Sequence, residues 1–369
     1  MIKTLKKSGL AKIVRLFRSA WFILSDIVFT PFLTRPTPKL EIGKINKILI
    51  IRLDRIGDLV LSTPAIRSIR LAYPHAEIDL CIREYTRDLV TNNPNINKLL
   101  MFGKDIINND YDLALALSPG PQANALAYKS GAKIRVGLRT WGGGYYLNKK
   151  PKNEKKVTEY HEAEEALALA KLAGGVDPDN RRPEVSVSPE GEAFAERFYK
   201  DNFLTGHKPV AVIHAGSRQE YIRWQTKGFA EVADWLMLEK EARVILIGSD
   251  AERELVKEVA AKMSQKPVMA VGLKLFELIS IIKHANIFIG NSTGPMHLAA
   301  ALGIKTVAIF GSRHPQDCYK KWGPYLAKSV IVTKDVGCKN CHPSECRDYK
   351  CMKEITTKDV IKSIKKLLE

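Results

Sequence analysis

The stretch Lys47–Arg70, KILIIRLDRIGDLVLSTPAIRSIR, decides the fold. It opens on an apolar run rich in β-branched residues, which predicts a buried strand over Lys47–Leu53. A polar loop follows at Asp54–Asp58, where Gly57 permits a tight turn, and a helical pattern then runs over Leu59–Tyr73. A strand, a short loop and a helix in this order predict the first unit of a doubly wound parallel sheet.

The same alternation continues along the chain. Further strands are predicted at Glu77–Ile82, Tyr111–Leu117, Val210–His214, Val244–Gly248, Ile287–Ile289 and Thr306–Phe310. A segment rich in Gly, Pro and polar residues at 174–190 separates two similar halves. We therefore predict an α/β protein with two Rossmann-like, parallel-sheet domains facing a cleft, in which ligands lie beyond the strand ends. The N-terminal domain covers residues 46–190 and the C-terminal domain 191–355, followed by a terminal helix over 356–369.

The charge is uneven. The 369 residues are 45% hydrophobic and 27% charged, which excludes a disordered chain, and 58 basic against 40 acidic residues leave a net charge of +18. Residues 1–45 hold nine basic and two acidic residues, and apolar residues recur there at helical spacing, which predicts an amphipathic helix followed by a proline linker. The helix lies either in an anionic membrane interface, the interpretation we favour, or on the protein's own surface.

A candidate catalytic carboxylate follows the first strand. Asp58 is either a helix cap or a base that accepts a proton from a substrate hydroxyl, since ligands of such sheets gather at this turn. The same acceptor-side loop includes Arg55, Gly57 and Thr63.

A candidate diphosphate site lies in Gly290–Gly303, GNSTGPMHLAAALG. A strand enters a polar turn there and a helix begins, so free N–H groups are available to phosphates. His297 either reaches the same phosphates or is a structural histidine whose hydrogen bonds are made at a domain interface. The candidate donor-binding residues of this turn are Ser292, Thr293, Gly294, Pro295, Met296 and His297.

Two further strand ends carry charge. Ser217, Arg218 and Arg223 follow one strand, and the arginines suit a phosphate group. Asp250 and Glu252 follow the next, where a carboxylate either binds ribose hydroxyls or caps a helix.

Four cysteines stand close together, at Cys338, Cys341, Cys346 and Cys351, in the spacing C-x2-C-x4-C-x4-C. They either hold a structural zinc ion or remain four thiols in a loop. The spacing lacks the two-and-two symmetry of zinc ribbons, so no metal assignment is firm.

Taken together, the opening IRLDRIGDLVLSTPAIRSIR, the Arg223-Trp224 segment and the STGPMHLAAALG motif resemble glycosyltransferase family 9, the ADP-heptose:lipopolysaccharide heptosyltransferases, over about residues 46–366. The resemblance implies a GT-B fold in which the N-terminal domain binds a lipid-linked, phosphorylated sugar acceptor and the C-terminal domain a nucleotide sugar. It implies that the terminal helix packs back on the N-terminal domain. Asp58 matches the family's general base, and Thr293, Gly294 and His297 match donor-binding positions.

The expected function is inverting transfer of a sugar, with heptose from ADP-heptose favoured, to a lipopolysaccharide core or related glycolipid at the cytoplasmic face of the inner membrane. No cofactor is expected for catalysis. Relatives often carry an acidic residue in place of Ser292 and a lysine in place of Ile222, so Arg223 or Arg218 would supply the missing charge, and another donor stays open. Alternatives are a GT-B nucleotide-sugar epimerase and a nucleic-acid-binding protein, although no array of basic and aromatic residues favours nucleic acid as a partner.

Overall fold

The computed structural model describes Leu24 and, from Lys39 onward, residues 39–206, 209–311, 314–338, 341, 346 and 348–368. The predicted amphipathic helix and its proline linker lie, apart from Leu24, outside the described residues. Within the described part of the chain, no helix is both long enough and apolar enough to cross a membrane.

Five parallel strands form the first sheet. They are β1 (Lys47–Arg52), β2 (Glu77–Ile82), β3 (Lys98–Met101), β4 (Leu113–Ala116) and β5 (Ile134–Val136). Their order is β3-β2-β1-β4-β5, so the first strand is central and the chain moves outward from it twice, as in a doubly wound sheet. Helices cover the sheet and bury Ile48–Ile51 completely, which explains the unbroken apolar run of β1.

Among the described residues, the helices that accompany this sheet are α1 (Ile56–Ala72), α2 (Pro121–Lys129), α3 (Glu154–Thr158) and α4 (Glu162–Leu172). Helix α1 begins three residues before the predicted start. Its N-cap is Arg55, and Asp58 is the third helical residue, whose carboxylate accepts a hydrogen bond from the Arg55 backbone N–H at 3.1 Å. Asp58 therefore lies inside the first turn of α1, where an acidic side chain also complements the helix dipole.

Six parallel strands form the second sheet. They are β6 (Val210–His214), β7 (Arg243–Gly248), β8 (Val268–Val271), β9 (Ile287–Asn291), β10 (Lys305–Ile309) and β11 (Ser329–Val332), in the order β11-β10-β9-β6-β7-β8. The helices of this half are α5 (Pro189–Asp201), α6 (Thr226–Glu239), α7 (Arg253–Ala261), α8 (Leu275–Lys283), α9 (Gly294–Ala301), α10 (Tyr319–Trp322), α11 (Lys350–Lys353) and α12 (Thr357–Leu368).

The two halves meet where α1 packs against α9, and one hydrophobic cluster continues across this contact. Two glycines allow the close approach. A Cβ on Gly57 would lie 2.7 Å from Cδ2 of His297, and one on Gly294 would lie 3.2 Å from the Ile56 side chain. The N-termini of α1 and α9 therefore face each other across the opening between the sheets.

The terminal helix corrects one expectation. The resemblance implied that residues 356–369 pack back on the N-terminal domain, but α12 contacts β10, β11 and α6 of the second half. Its apolar face inserts Val360 and Ile364 into the same buried cluster as Trp224, and Thr357 hydrogen-bonds Glu231 of α6. The apolar face of α12 therefore covers part of the second sheet, and it is buried within the second half.

Candidate active site

A cleft of about 1440 Å³ lies between the carboxyl ends of the two sheets. Both halves line it, and its size exceeds the few hundred Å³ that one small ligand needs, so it has room for two substrates. The loop after β1 and the N-terminal turn of α1 form one wall. The ends of β6, β7 and β9, with the start of α9, form the other.

Asp58 lies at the bottom of the first wall, and its side chain is 18% exposed. One oxygen accepts the Arg55 backbone N–H, and the other lies 3.4 Å from Nη2 of Arg52. Burial raises the pKa of Asp58 to about 6, since the Arg52 charge only partly offsets desolvation and the nearby Glu162 and Asp54 carboxylates add to the rise. The carboxylate is ionised at neutral pH, yet its proton affinity is close to that pH, which suits a general base.

A buried charge network supports Asp58. Arg52, at the end of β1, donates to Glu162 Oε1 at 2.6 Å and to the Leu117 carbonyl. Lys321 of α10 reaches the same glutamate from the other half, 3.1 Å from its Oε2, and lies 2.6 Å from Glu165. Burial and the Glu162 charge raise the pKa of Glu165 to about 7, even though Lys321 opposes the rise. The network therefore holds more carboxylates than cations.

His297 lies directly behind the Asp58 loop, against Gly57, and is 5% exposed. Burial, with the charge of His161, lowers the pKa of its imidazole to about 3, so the ring is neutral at physiological pH. Its Nδ1 has no hydrogen-bond partner among the described residues. The structure thus places a neutral, partnerless imidazole nitrogen beside the start of α9.

The second wall is built around His214, at the end of β6. Its Nδ1 lies 3.0 Å from Thr293 Oγ1, and its Nε2 lies 3.5 Å from Glu252 Oε2. Glu252 also accepts hydrogen bonds from the backbone N–H and hydroxyl of Ser249. Although burial opposes ionisation, these contacts lower the pKa of Glu252 to about 2, so it is a fixed anion. A fixed carboxylate next to a helix start can accept hydrogen bonds from sugar hydroxyls.

Asn291 fixes the backbone of this wall. Its amide donates to the carbonyls of Ala215 and Gly216, and its Oδ1 accepts the Trp224 backbone N–H at 3.0 Å. The indole of Trp224 is fully buried and donates to the Ile355 carbonyl. Trp224 therefore anchors the loop in the core, and does not form a stacking surface.

Most of the predicted site residues line the cleft: Arg55, Gly57, Asp58, Ser217, Arg218, Glu252, Ser292, Thr293, Gly294, Pro295 and His297. Four do not. Thr63 is buried in α1 and accepts the Glu184 backbone N–H, and Met296 is buried in the core because its helical position points away from the cleft. Asp250 points outward and pairs with Arg253, and Arg223 donates to the Ser217 carbonyl.

Several lining residues were not predicted. One group is Glu162, Glu165 and Lys321, whose charge network continues behind the cleft surface to the buried Arg52. A second is an apolar patch on the donor side, formed by Ile247, Leu273, Leu275 and Leu278, and a third is the exposed pair Tyr85 and Trp141. A charged residue at the end of the buried strand β1 was a local signal for Arg52, whereas nothing near Lys321 in sequence marks it.

The four clustered cysteines lie in a segment that the structure describes only in part. None forms a disulfide, and no three Cys, His, Asp or Glu side chains among the described residues are placed to hold one ion. Burial and the charges of Cys341, Cys346 and Cys338 raise the pKa of the Cys351 thiol, which places the other three cysteines near it. The structural zinc ion considered from the cysteine spacing therefore stays a prediction.

The comparisons with known proteins agree with this architecture. Residues 99–352 match the model of glycosyltransferase family 9 (heptosyltransferase). Lipooligosaccharide heptosyltransferase 2 of Campylobacter jejuni is 27% identical over 327 residues, which cover 85% of this chain and 96% of that protein. The crystal structure of a family 9 glycosyl transferase from Veillonella parvula covers 88% of this chain and 97% of its own, with 25% identity and a TM-score of 0.76. The ADP-heptose lps heptosyltransferase II of Escherichia coli covers 87% and 98%, at 22% identity, with a TM-score of 0.72.

Two α/β domains with parallel sheets, facing each other across a substrate-sized cleft, share the architecture of solved GT-B heptosyltransferases. The chain belongs to glycosyltransferase family 9, since the family model covers more than half of it.

Proposed function

We propose that this enzyme transfers a heptose from ADP-heptose to the core of a lipopolysaccharide, with inversion and with Asp58 as the general base. The observation that carries the proposal is the position of Asp58, which lines the cleft within the turn of α1 that faces the start of α9. The donor and acceptor are inferred from the relatives, whose names describe heptosyl transfer to lipooligosaccharide and lps.

The mechanism follows from the two walls. An acceptor hydroxyl attacks the anomeric carbon of the donor, and Asp58 takes its proton as the new glycosidic bond forms. The bond to the diphosphate breaks on the opposite face, and its electron pair leaves with the nucleotide. The diphosphate gains charge at the start of α9, where the Gly294 backbone N–H, the helix dipole and Arg218 stabilise it.

The nucleoside is proposed to lie on the outer part of the second wall. The apolar patch of Ile247, Leu273, Leu275 and Leu278 offers a surface for the base. Glu252, held as an anion by His214 and Ser249, suits the ribose hydroxyls. Ser292 and Ile222, where relatives often carry charged residues, line the cleft as uncharged side chains. Of Arg218 and Arg223, which were considered as sources of the missing positive charge, only Arg218 is among the described residues that line the cleft.

We place the enzyme on the cytoplasmic face of the inner membrane, held there peripherally. The support is compositional: residues 1–45 carry nine basic and two acidic residues together with apolar residues at helical spacing. Such a segment is attracted to anionic lipid, where a lipid-linked acceptor resides. The family match is to glycosyltransferases, and no feature of the described site favours an epimerase or a nucleic-acid-binding protein.

The test compares wild type with Asp58→Asn. Transfer is measured with ADP-heptose, GDP-sugars and UDP-sugars side by side, using a core acceptor that lacks the added heptose. We expect turnover with ADP-heptose and a loss of about 10²–10⁴-fold in Asp58→Asn, since that is what a general base contributes. Asp110→Asn is the control, because Asp110 is exposed and pairs with Lys47 at the opposite end of β1.

Two outcomes would contradict the proposal. If Asp58→Asn folds and keeps the full rate, Asp58 is not the base. If a GDP- or UDP-sugar is used and ADP-heptose is not, the donor assignment is wrong while the base assignment stands.

A further inference from the structure

The two halves are joined at one end of the cleft by a polar seam, formed by residues 158–165 of the first half and 316–325 of the second. His161 Nε2 lies 2.9 Å from the Gly323 carbonyl, and its ring stacks on Tyr325 at 4.8 Å between centroids. Gln316 donates to the Thr158 carbonyl at 3.2 Å. These contacts fix the second half against the N-terminal turn of α4.

Lys321 is the buried centre of this seam. Its side chain is 3% exposed, and its ammonium lies between two glutamates of α4, 3.1 Å from Glu162 and 2.6 Å from Glu165. A buried ammonium is tolerated only where it is paired, so its position depends on these two carboxylates. The glutamates stand at i and i+3 on one face of α4, which is why a single lysine reaches both.

The contacts continue from Lys321 to the proposed base. Glu162 uses Oε2 for Lys321 and Oε1 for Nη2 of Arg52. The same Nη2 lies 3.4 Å from Asp58 Oδ1. A chain of charges therefore runs from α10, across the domain boundary, to the carboxylate at the bottom of the cleft.

We propose that Lys321 is a positioning residue for the transfer reaction: by pairing with Glu162 from the opposite half, it leaves Arg52 available to Asp58. The inference rests on the proposed role of Asp58 as the base and adds a requirement to it. Docking of the second half, which binds the donor, thereby lowers the proton affinity of the base and completes its contact with Arg52.

The charge balance gives the physical reason. Arg52 and Lys321 face four carboxylates, those of Asp54, Asp58, Glu162 and Glu165. Without Lys321, Arg52 would be the one cation facing these four carboxylates. Arg52 would then pair more closely with Glu162, and the proton affinity of Asp58 would rise because its contact with Arg52 weakens. The charged or titratable groups around Asp58, counted from every element packed on it, are Arg52, Asp54, Arg55, Tyr85, His161, Glu162, Glu165, His297 and Lys321.

The experiment compares kcat against pH for wild type, Lys321→Met, Lys321→Arg and Lys320→Met. In wild type, kcat should fall at acidic pH as Asp58 is protonated, and we call this part of the profile the acidic limb. We expect Lys321→Met to move the acidic limb to higher pH by about one unit. At acidic pH the variant is then about tenfold slower than wild type, and at high pH the two rates agree. Lys321→Arg restores the limb because it restores the charge. Lys320→Met removes an exposed lysine from the same helix and leaves the limb unchanged.

Glu162→Gln provides a test of opposite sign that does not depend on the folding of Lys321→Met. Removing this anion frees Arg52 for Asp58, so the acidic limb moves to lower pH. A purely structural role predicts a loss that is uniform with pH, and that result would overturn the inference, as would a limb that is unmoved in either variant.

Asp58→Asn separates this inference from the proposed function. If Asp58→Asn retains full activity, the proposed function itself fails. If Asp58→Asn is inactive and the limb stays fixed in the Lys321 and Glu162 variants, only the role of Lys321 fails.

Discussion

Asp58 shows how one residue acquires its chemistry from its surroundings. It accepts the backbone N–H of the N-cap residue Arg55, and an acidic residue in the first turn of a helix needs no special sequence. Its proton affinity comes from desolvation and from an excess of neighbouring carboxylates, neither of which is local in sequence. The same residue type at an exposed helix start would remain a cap.

The pH dependence of transfer follows from this environment. Because the ionised carboxylate is the base and burial raises the pKa of Asp58 to about 6, kcat should fall tenfold per pH unit below about pH 6 and level off above about pH 7. Initial rates at saturating substrate, from about pH 4.5 to pH 8.5, measure this limb. A midpoint near pH 4, the value for an unperturbed aspartate, would show that Asp58 is solvated during turnover or is not the titrating group.

Arg218 is predicted to contact the donor diphosphate. It is exposed and lines the cleft. Arg218→Ala should lower kcat/KM for the donor about tenfold or more, with part of the loss in kcat, because Arg218 is proposed to stabilise the charge that develops on the leaving diphosphate. Steady-state kinetics with varied donor measure both constants. Arg197→Ala, an exposed arginine on α5, is the control, and an equal effect in both variants would indicate a general charge effect.

The sequence identified those site residues whose motifs are local. Thr293, Gly294 and His297 lie in a strand–turn–helix pattern, and all three line the cleft. Met296 and Thr63 were predicted because they belong to the motifs that carry the family resemblance, and both are buried away from the cleft because successive helical residues face different directions. Glu162 and Lys321 were missed because they meet each other only after both halves have folded.

At the level of elements, the strands that were missed share one property. They are β3, β5, β8 and β11, and each is at an edge of its sheet. Edge strands here are three or four residues long, and three of the four are only partly buried, so their hydrophobic pattern is weak. The central strands are buried on both faces, and all of them were predicted from their apolar runs.

The docking of α12 gives an element-scale prediction. Ile364 is fully buried between α12 and the second sheet, so Ile364→Ala should lower the free energy of unfolding by about 2–5 kcal/mol. Urea unfolding measures the change. Lys362→Ala, at an exposed position of the same helix, should stay within about 0.5 kcal/mol of wild type. If both variants unfold like wild type, α12 does not dock on the second half.

At the scale of the whole molecule, the net charge of +18 is divided between the N-terminal segment and the rest of the chain. Deleting residues 1–38 should abolish binding to vesicles that contain anionic lipid and leave kcat on a water-soluble acceptor unchanged. The reason is that attraction to an anionic surface depends on nearby basic and apolar residues. Vesicle sedimentation at low and high salt measures the binding. Undiminished binding by the shortened chain would place the membrane contact elsewhere.

The seam also affects how the protein is made. The first sheet and α4 are complete in sequence before residue 175, whereas Lys321 is synthesised almost 150 residues later. Domains generally fold as units from the N-terminus during synthesis, so the first half can fold while the second is still being translated. At that stage Glu162 can already pair with Arg52, whereas Glu165 cannot form its ion pair until Lys321 has been synthesised. Docking of the second half then brings Lys321 to Glu165 and closes the cleft, so we expect the cleft to form only after α10 has been synthesised.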